Sequence, residues 1–297
     1  MKITQNSSAP LVAVFNATGT QGGSVIKALE ESDKPYRIRG FTRDATKPSA
    51  QELVTKGVEV VTISLLIENQ KEVRKAFSGA NMAFEVSEAK MFIDSTKAAG
   101  VQRVVWSGLT SFSKASPGKY VHVYQFDGKA DIAEYGRQSG VPNFLQFHRS
   151  LMLTKQDDGT FAIEWPVKPT TTIPIIDIAH DYGPYVRQVL ELPVFPDGSE
   201  MLTAGENISV ENIALQLSEA TGKKIVFKQL SITKFRNILQ NLGLPAHMIP
   251  AMQEVFQTFD EFGYYGGKPT TNLDGLVRKP RTWAEFARIA DWSKVLV

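Results

Sequence analysis

Residues 11 to 15 read Leu-Val-Ala-Val-Phe, an apolar run without a polar break, and a glycine-bearing loop follows it directly. A strand with one wet face alternates polar and apolar residues. A strand that is apolar throughout is buried on both faces, as in a parallel sheet covered by helices on either side. After the loop, Val25, Ile26 and Leu29 recur at helical spacing and form one apolar face. Strand, glycine loop and helix in this order constrain the chain more than any other feature.

The pattern repeats. Residues 37–42, 58–63, 82–86, 103–107 and 143–147 read as strands. Helices are expected at about 70–77, 87–99 and 128–138, the second of them closed by Gly100 as a C-cap. Strands alternating with helices imply right-handed crossovers and a doubly wound α/β fold of the Rossmann kind. Beyond Arg149 the regularity weakens. Asp157-Asp158-Gly159-Thr160 reads as a hairpin turn, residues 172–176 as a strand returning to the sheet, 178–192 as a helix and 201–204 as a strand. From about Glu206 helices dominate, with one strand near 225–230. The expected division is a dinucleotide-binding domain over 1–152, completed by parts of 172–205, and a smaller, mostly helical C-terminal α/β domain over 153–297 that takes substrate or partner.

The loop Phe15-Asn16-Ala17-Thr18-Gly19-Thr20-Gln21-Gly22-Gly23 stands where a dinucleotide fingerprint belongs, after the first strand and at the head of the first helix. The chemistry needs a tight turn, close approach of backbone to pyrophosphate, and a helix N-terminus aimed at the phosphates. Gly19 and Gly22 hold the second and third glycine positions. Asn16 holds the first, and asparagine is among the few other residues that tolerate the left-handed region. The competing reading is a glycine-rich turn that binds nothing. Arg43 lies at the end of the second strand, where an acid usually meets a free ribose 2′-hydroxyl and an arginine meets a 2′-phosphate. Arg43, with Lys47 assisting, favours NADP over NAD, while the adjacent Asp44 keeps NAD open.

These segments resemble the NmrA-like family, atypical members of the short-chain dehydrogenase superfamily. The resemblance rests on the Asn16–Ser24 loop, Thr42-Arg43-Asp44, Lys97-Ala-Ala-Gly-Val101 running into Val104-Val-Trp-Ser107, Phe126-Asp-Gly-Lys129, Asp177-Ile-Ala-His-Asp181-Tyr-Gly-Pro-Tyr185 and the fungal-type Phe262-Gly-Tyr-Tyr265. It implies a Rossmann domain with a small C-terminal domain, and one of two roles. Some members are NAD(P)-sensing regulators of other proteins; others are NADPH-dependent reductases of quinones or phenylpropanoid-type substrates.

The superfamily's acid is a tyrosine four residues before a lysine, whose charge lowers the tyrosine's pKa for proton exchange. Lys129 matches that lysine, but the position four before it is Gln125. Tyr124 is one residue off, a rotation of about 100° on a helix, so it serves only if that stretch is a loop. Ser107 matches the superfamily's serine at the end of the fifth strand. Lys129 is therefore a candidate for cofactor contact first, a surface ion pair second and acid–base work last. Two departures weaken an enzymatic reading. Ser64 stands where the family has an aspartate beside the adenine, and the stretch from Phe84 to Glu88 is short. The expected function is a redox or cofactor sensor that binds NADP(H) with weak or no catalysis. The alternative is an NADPH-dependent reductase of a small quinone or carbonyl. A third reading is a structural protein that has lost the cofactor.

Composition narrows the remaining classes. The chain has no cysteine, which removes disulfides, thiolate metal sites and cysteine nucleophiles and fits a reducing compartment. Its four histidines lack metal-type spacing. A net charge of +2 from 33 basic and 31 acidic residues disfavours direct nucleic-acid binding. The polar first ten residues do not read as a secretory leader, and no apolar run reaches the ~18 residues of a membrane span. The expected partners are thus a nicotinamide dinucleotide and a regulatory protein, and the expected location is the cytoplasm, with the nucleus second. Phe256, Phe259 and Phe262 recur on one helical face beside Tyr264 and Tyr265, and read as core before docking groove.

Overall fold

The computed structural model describes residues 3–63, 69–85, 90–138, 144–145, 153–196, 198–271 and 274–297. Strands β1 (Leu11–Val14), β2 (Arg37–Thr42), β3 (Glu59–Thr62), β4 (Met82–Glu85), β5 (Arg103–Gly108) and β6 (Phe144–Leu145) form one sheet in the order β3-β2-β1-β4-β5-β6. All the pairings in it are parallel. The chain runs outward from β1 to β3, then returns to place β4 on the other side of β1. Ligands of open α/β sheets sit beyond the strands' carboxyl ends at such a reversal.

The apolar run is explained by the two layers it separates. Val12 and Val14 face a core shared with helix α1 (Thr20–Glu30), while Leu11, Ala13 and Phe15 face a second core holding Phe77, Phe92 and Trp106. That second core is lined by α3 (Gln70–Ala76), α4 (Lys90–Ala98) and α6 (Tyr124–Gln138). Between β2 and β3 lies α2 (Pro48–Thr55), and β5 leads through the short α5 (Phe112–Ala115) to α6. On the first face, α1 is crossed by a five-residue π-helical turn (Ile178–Tyr182) and by α7 (Gly183–Glu191). The Gly183 amide donates to the Ser24 hydroxyl at 2.9 Å there.

A third core gathers the remaining elements. β7 (Leu153–Lys155) and β8 (Phe161–Trp165) form a hairpin, and β11 (Ile225–Gln229) pairs parallel to β8. Around them pack α8 (Val210–Thr221), α9 (Ile232–Asn241), α10 (Met248–Phe262) and α11 (Trp283–Ile289). Leu109, Phe112 and Val123 from the β5–α6 connection, with Phe126 in the first turn of α6, belong to this core too and tie it to the large sheet. Phe256, Phe259, Tyr264 and Tyr265 are buried in it with Phe262 packed alongside, so the aromatic cluster is core.

Three local expectations are corrected. Among the described residues, strand β9 (Thr172–Ile175) does not join the large sheet; it pairs with β10 (Glu206–Ser209), antiparallel. That strand lies at 206–209 rather than 201–204, where Leu202 makes an isolated bridge. Helix α6 begins at Tyr124, four residues earlier than its apolar spacing indicates, because Val123 and Phe126 are buried at its head.

Candidate functional site

Three loops meet at the carboxyl ends of the strands. The first follows β1. Asn16 sits at φ 50°, the one non-glycine residue with positive φ among the described residues. The turn closes through the Gly19 amide, which donates to the Asn16 carbonyl at 2.8 Å. Gly19 then caps α1 in extended backbone, and no side chain caps that end. The amides of Thr20, Gln21 and Gly22 have no acceptor among the described residues, so the positive end of α1 opens outward.

The glycines are required first by the loop itself. A Cβ on Gly19 would lie 2.7 Å from Asn16 Oδ1 and nearer still to its Nδ2, and one on Gly22 would drive into the Asn16 and Phe15 carbonyls. The loop is also tied to the end of β2: the Ala17 amide donates to the Phe41 carbonyl at 3.0 Å, and the Thr18 and Thr42 hydroxyls are 3.4 Å apart.

At that strand end Arg43 is exposed and makes no hydrogen bond or ion pair among the described residues. Asp44 is differently placed. Its Oδ1 accepts from the Thr46 amide at 2.9 Å and hydroxyl at 2.6 Å. Those two bonds hold the carboxyl below its usual range. Asp44 thus closes its own turn while its neighbour extends outward. Lys47 is exposed at the head of α2.

The third loop follows β5. Lys129, on α6, reaches back so that Nζ donates to the Ser107 carbonyl at 3.1 Å. Tyr124 is the first residue of α6 and is 57% exposed, its ring edge-on to His122. The stretch is helical, so the one-residue offset turns Tyr124 away from Lys129. Gln125 occupies the position one turn before the lysine and is exposed. The Ser107 side chain points to the opposite face of the sheet. There its hydroxyl approaches that of the fully buried Tyr182 without completing a hydrogen bond. Burial raises the Tyr182 phenol well above its ordinary value, with Ser107 opposing.

Sequence reasoning gave no role to Tyr182, which arrives from a π-turn far along the chain, nor to Glu85, buried at the carboxyl end of β4. Asp177, His180 and Asp181 place their ligand atoms within 4.8 Å of one another. Arg281 claims this cluster: its Nη1 donates to Asp177 at 2.7 Å and its amide to Asp181 at 2.9 Å. Ser64 and most of the short connection after Phe84 lie outside the described residues.

Comparison with known proteins bears on this arrangement. The model of the NmrA-like family matches residues 8–287. An NmrA-like family domain-containing oxidoreductase, malD of Malbranchea aurantiaca, is 28% identical over 259 residues, covering 74% of this chain and 75% of that one. Among solved structures, NmrA, a negative transcriptional regulator in complex with NAD, superposes with a TM-score of 0.77 at 22% identity over 95% of both chains. The same regulator in complex with NADP gives 0.76, with the same identity and coverage. These structural likenesses establish the shared fold. No helix among the described residues is long and apolar enough to cross a membrane.

Proposed function

The chain belongs to the NmrA-like family, and from that premise we propose that it binds NADP(H), accepting NAD less well, and passes cofactor state to a protein partner with little or no catalysis. The loop residues fit a dinucleotide. Glycines at 19 and 22 keep the turn free of side chains, and the uncapped end of α1 offers three amides to an anion. In this reading Asn16, Thr18, Gly19, Thr20, Gln21 and Gly22 hold the pyrophosphate, Arg43 and Lys47 take the 2′-phosphate, and Lys129 contacts the nicotinamide ribose. From the sequence alone, Ser64 is the hydrogen-bonding candidate beside the adenine. The cytoplasm or nucleus is the proposed place of action.

Bound dinucleotide supplies a hydride, and a reductase of this superfamily also needs a placed proton donor. The observation that best supports the regulator reading is Tyr124, solvent-facing at 57% exposure, with Gln125 in the acid's place. Support for the other reading, a reductase of a small quinone or carbonyl, comes from Lys129 held at the Ser107 carbonyl and from the oxidoreductase malD. That reading asks Lys129, Tyr124 and Ser107 to share the proton work, although Tyr124 is turned away from Lys129 and the Ser107 hydroxyl faces Tyr182. A panel of quinones, aldehydes and ketones separates the two. A regulator consumes NADPH no faster with them than without, and Gln125→Tyr raises consumption. Robust turnover by the wild-type protein, lost in Lys129→Met, would overturn the regulator.

A further inference from the structure

A cavity of about 280 Å³ opens between the π-turn and the third core. Arg43, Ser107 and Lys129 do not line it, and of the glycine loop only Thr20 does, so it lies beside the strand-end loops described above rather than among them. Its lining is of two kinds. Ile175, Ile176 and Ile213 are branched aliphatic. Trp283 and Phe286 are aromatic, their rings 5.8 Å apart at 32° to one another. The Trp283 indole N–H is spent on the Ile213 carbonyl at 3.0 Å, so the ring offers the cavity its apolar surface. Such walls suit a flat ring system. The volume falls just under the usual range for small-molecule pockets, which limits the occupant to one or two rings.

The polar groups specify the rest. Arg281 lines the cavity and commits Nη1 to Asp177, while its Nε and Nη2 have no acceptor among the described residues. An occupant with a carbonyl oxygen would complete the guanidinium. A carboxylate would meet Asp177, which also lines the cavity, and Asp181 close behind it. Charge complementarity therefore favours a neutral acceptor over an anion. We propose that this cavity is a binding site for a small uncharged aromatic ketone or related aryl carbonyl, seated on Trp283 and Phe286 with its oxygen on Arg281. Thr20, the first residue of α1, forms part of the wall, so the occupant touches the helix that opens the glycine loop.

The site needs no dinucleotide, so its test stands apart from the NADP(H) proposal. Ligand-observed NMR titrations of the full chain, without added cofactor, would compare 1-tetralone, its hydrocarbon tetralin and 1-naphthoate. Hydrogen bonds to a charged donor are strong enough to separate the first two by about tenfold. The expected order is 1-tetralone tightest, with Arg281→Met bringing it down to tetralin and leaving tetralin unchanged. Ala179→Trp, at an exposed position on the rim, should abolish binding of both. Phe286→Ala, with folding checked by circular dichroism, should weaken both even if the tryptophan variant does not fold. Absence of saturable 1-tetralone binding would overturn the site. So would tightest binding of 1-naphthoate, or a preference for the ketone that survives Arg281→Met.

Discussion

Asn16 and Gly19 are fitted to each other: the asparagine takes the left-handed turn, and its side-chain amide fills the space a Cβ on Gly19 would need. Gly19→Ala should therefore cost about 1–3 kcal/mol, the range for overpacking a closed site. Asn16→Gly removes the obstructing side chain and suits positive φ, so the double variant should recover most of that loss. Gly22→Ala should not be rescued in the same way, because its obstacles are backbone carbonyls. Thermal unfolding of the four variants in a mutant cycle checks this. Equal losses in Gly19→Ala with and without Asn16→Gly would show the two sites to be independent.

Arg43 and Asp44 divide the second loop's roles. Because Asp44 Oδ1 is held by Thr46, it is poorly placed to take a ribose hydroxyl, and Arg43 is open to a phosphate. Arg43→Ala should lower NADP affinity about tenfold or more and leave NAD affinity nearly intact. Asp44→Asn should change NAD affinity little. Calorimetric titration with each dinucleotide reads both. A large loss of NAD binding in Asp44→Asn would reassign the ribose contact.

The third core has an acid-sensitive tie. Asp260 on α10 accepts from the Thr171 hydroxyl at 2.5 Å and the Lys168 amide at 3.1 Å, and Lys168 Nζ lies 3.0 Å from its other oxygen. Burial acts to raise this carboxyl, but those bonds outweigh it, and the net shift is downward from 3.8. A carboxyl lowered in the folded state stabilises fully above its ordinary value. That contribution is lost as pH falls through the lower, folded-state value. Asp260→Asn should cost about 1–3 kcal/mol at neutral pH, with the deficit shrinking below pH ~4. Urea unfolding at pH 7 and pH 3 gives the two numbers.

Much of this was legible in the chain because local chemistry and global topology agree. The Leu11–Phe15 run implied cover on both faces, and the two cores on either side of β1 supply it. Asn16 at the first glycine position implied a left-handed turn, and φ 50° is that turn. The resemblance to the NmrA-like family is confirmed by the match over residues 8–287. What stayed illegible depends on distant contacts. Tyr182 meets Ser107 only because the π-turn crosses α1, and periodicity does not distinguish a π-turn from an ordinary helix start. β9 is apolar enough for the large sheet, but its partner is β10, more than thirty residues on. The cavity draws on residues from 173 to 286 and on Thr20, a set that no spacing reveals.

The proposed NADP site joins the loop at Asn16–Gly22 to Arg43. Isothermal titration of the full chain with NADP and with NAD tests it most directly. The expected result is saturable binding at one site per chain, with NADP at least tenfold tighter than NAD. No saturable binding of either dinucleotide, or NAD binding tighter than NADP, would contradict it.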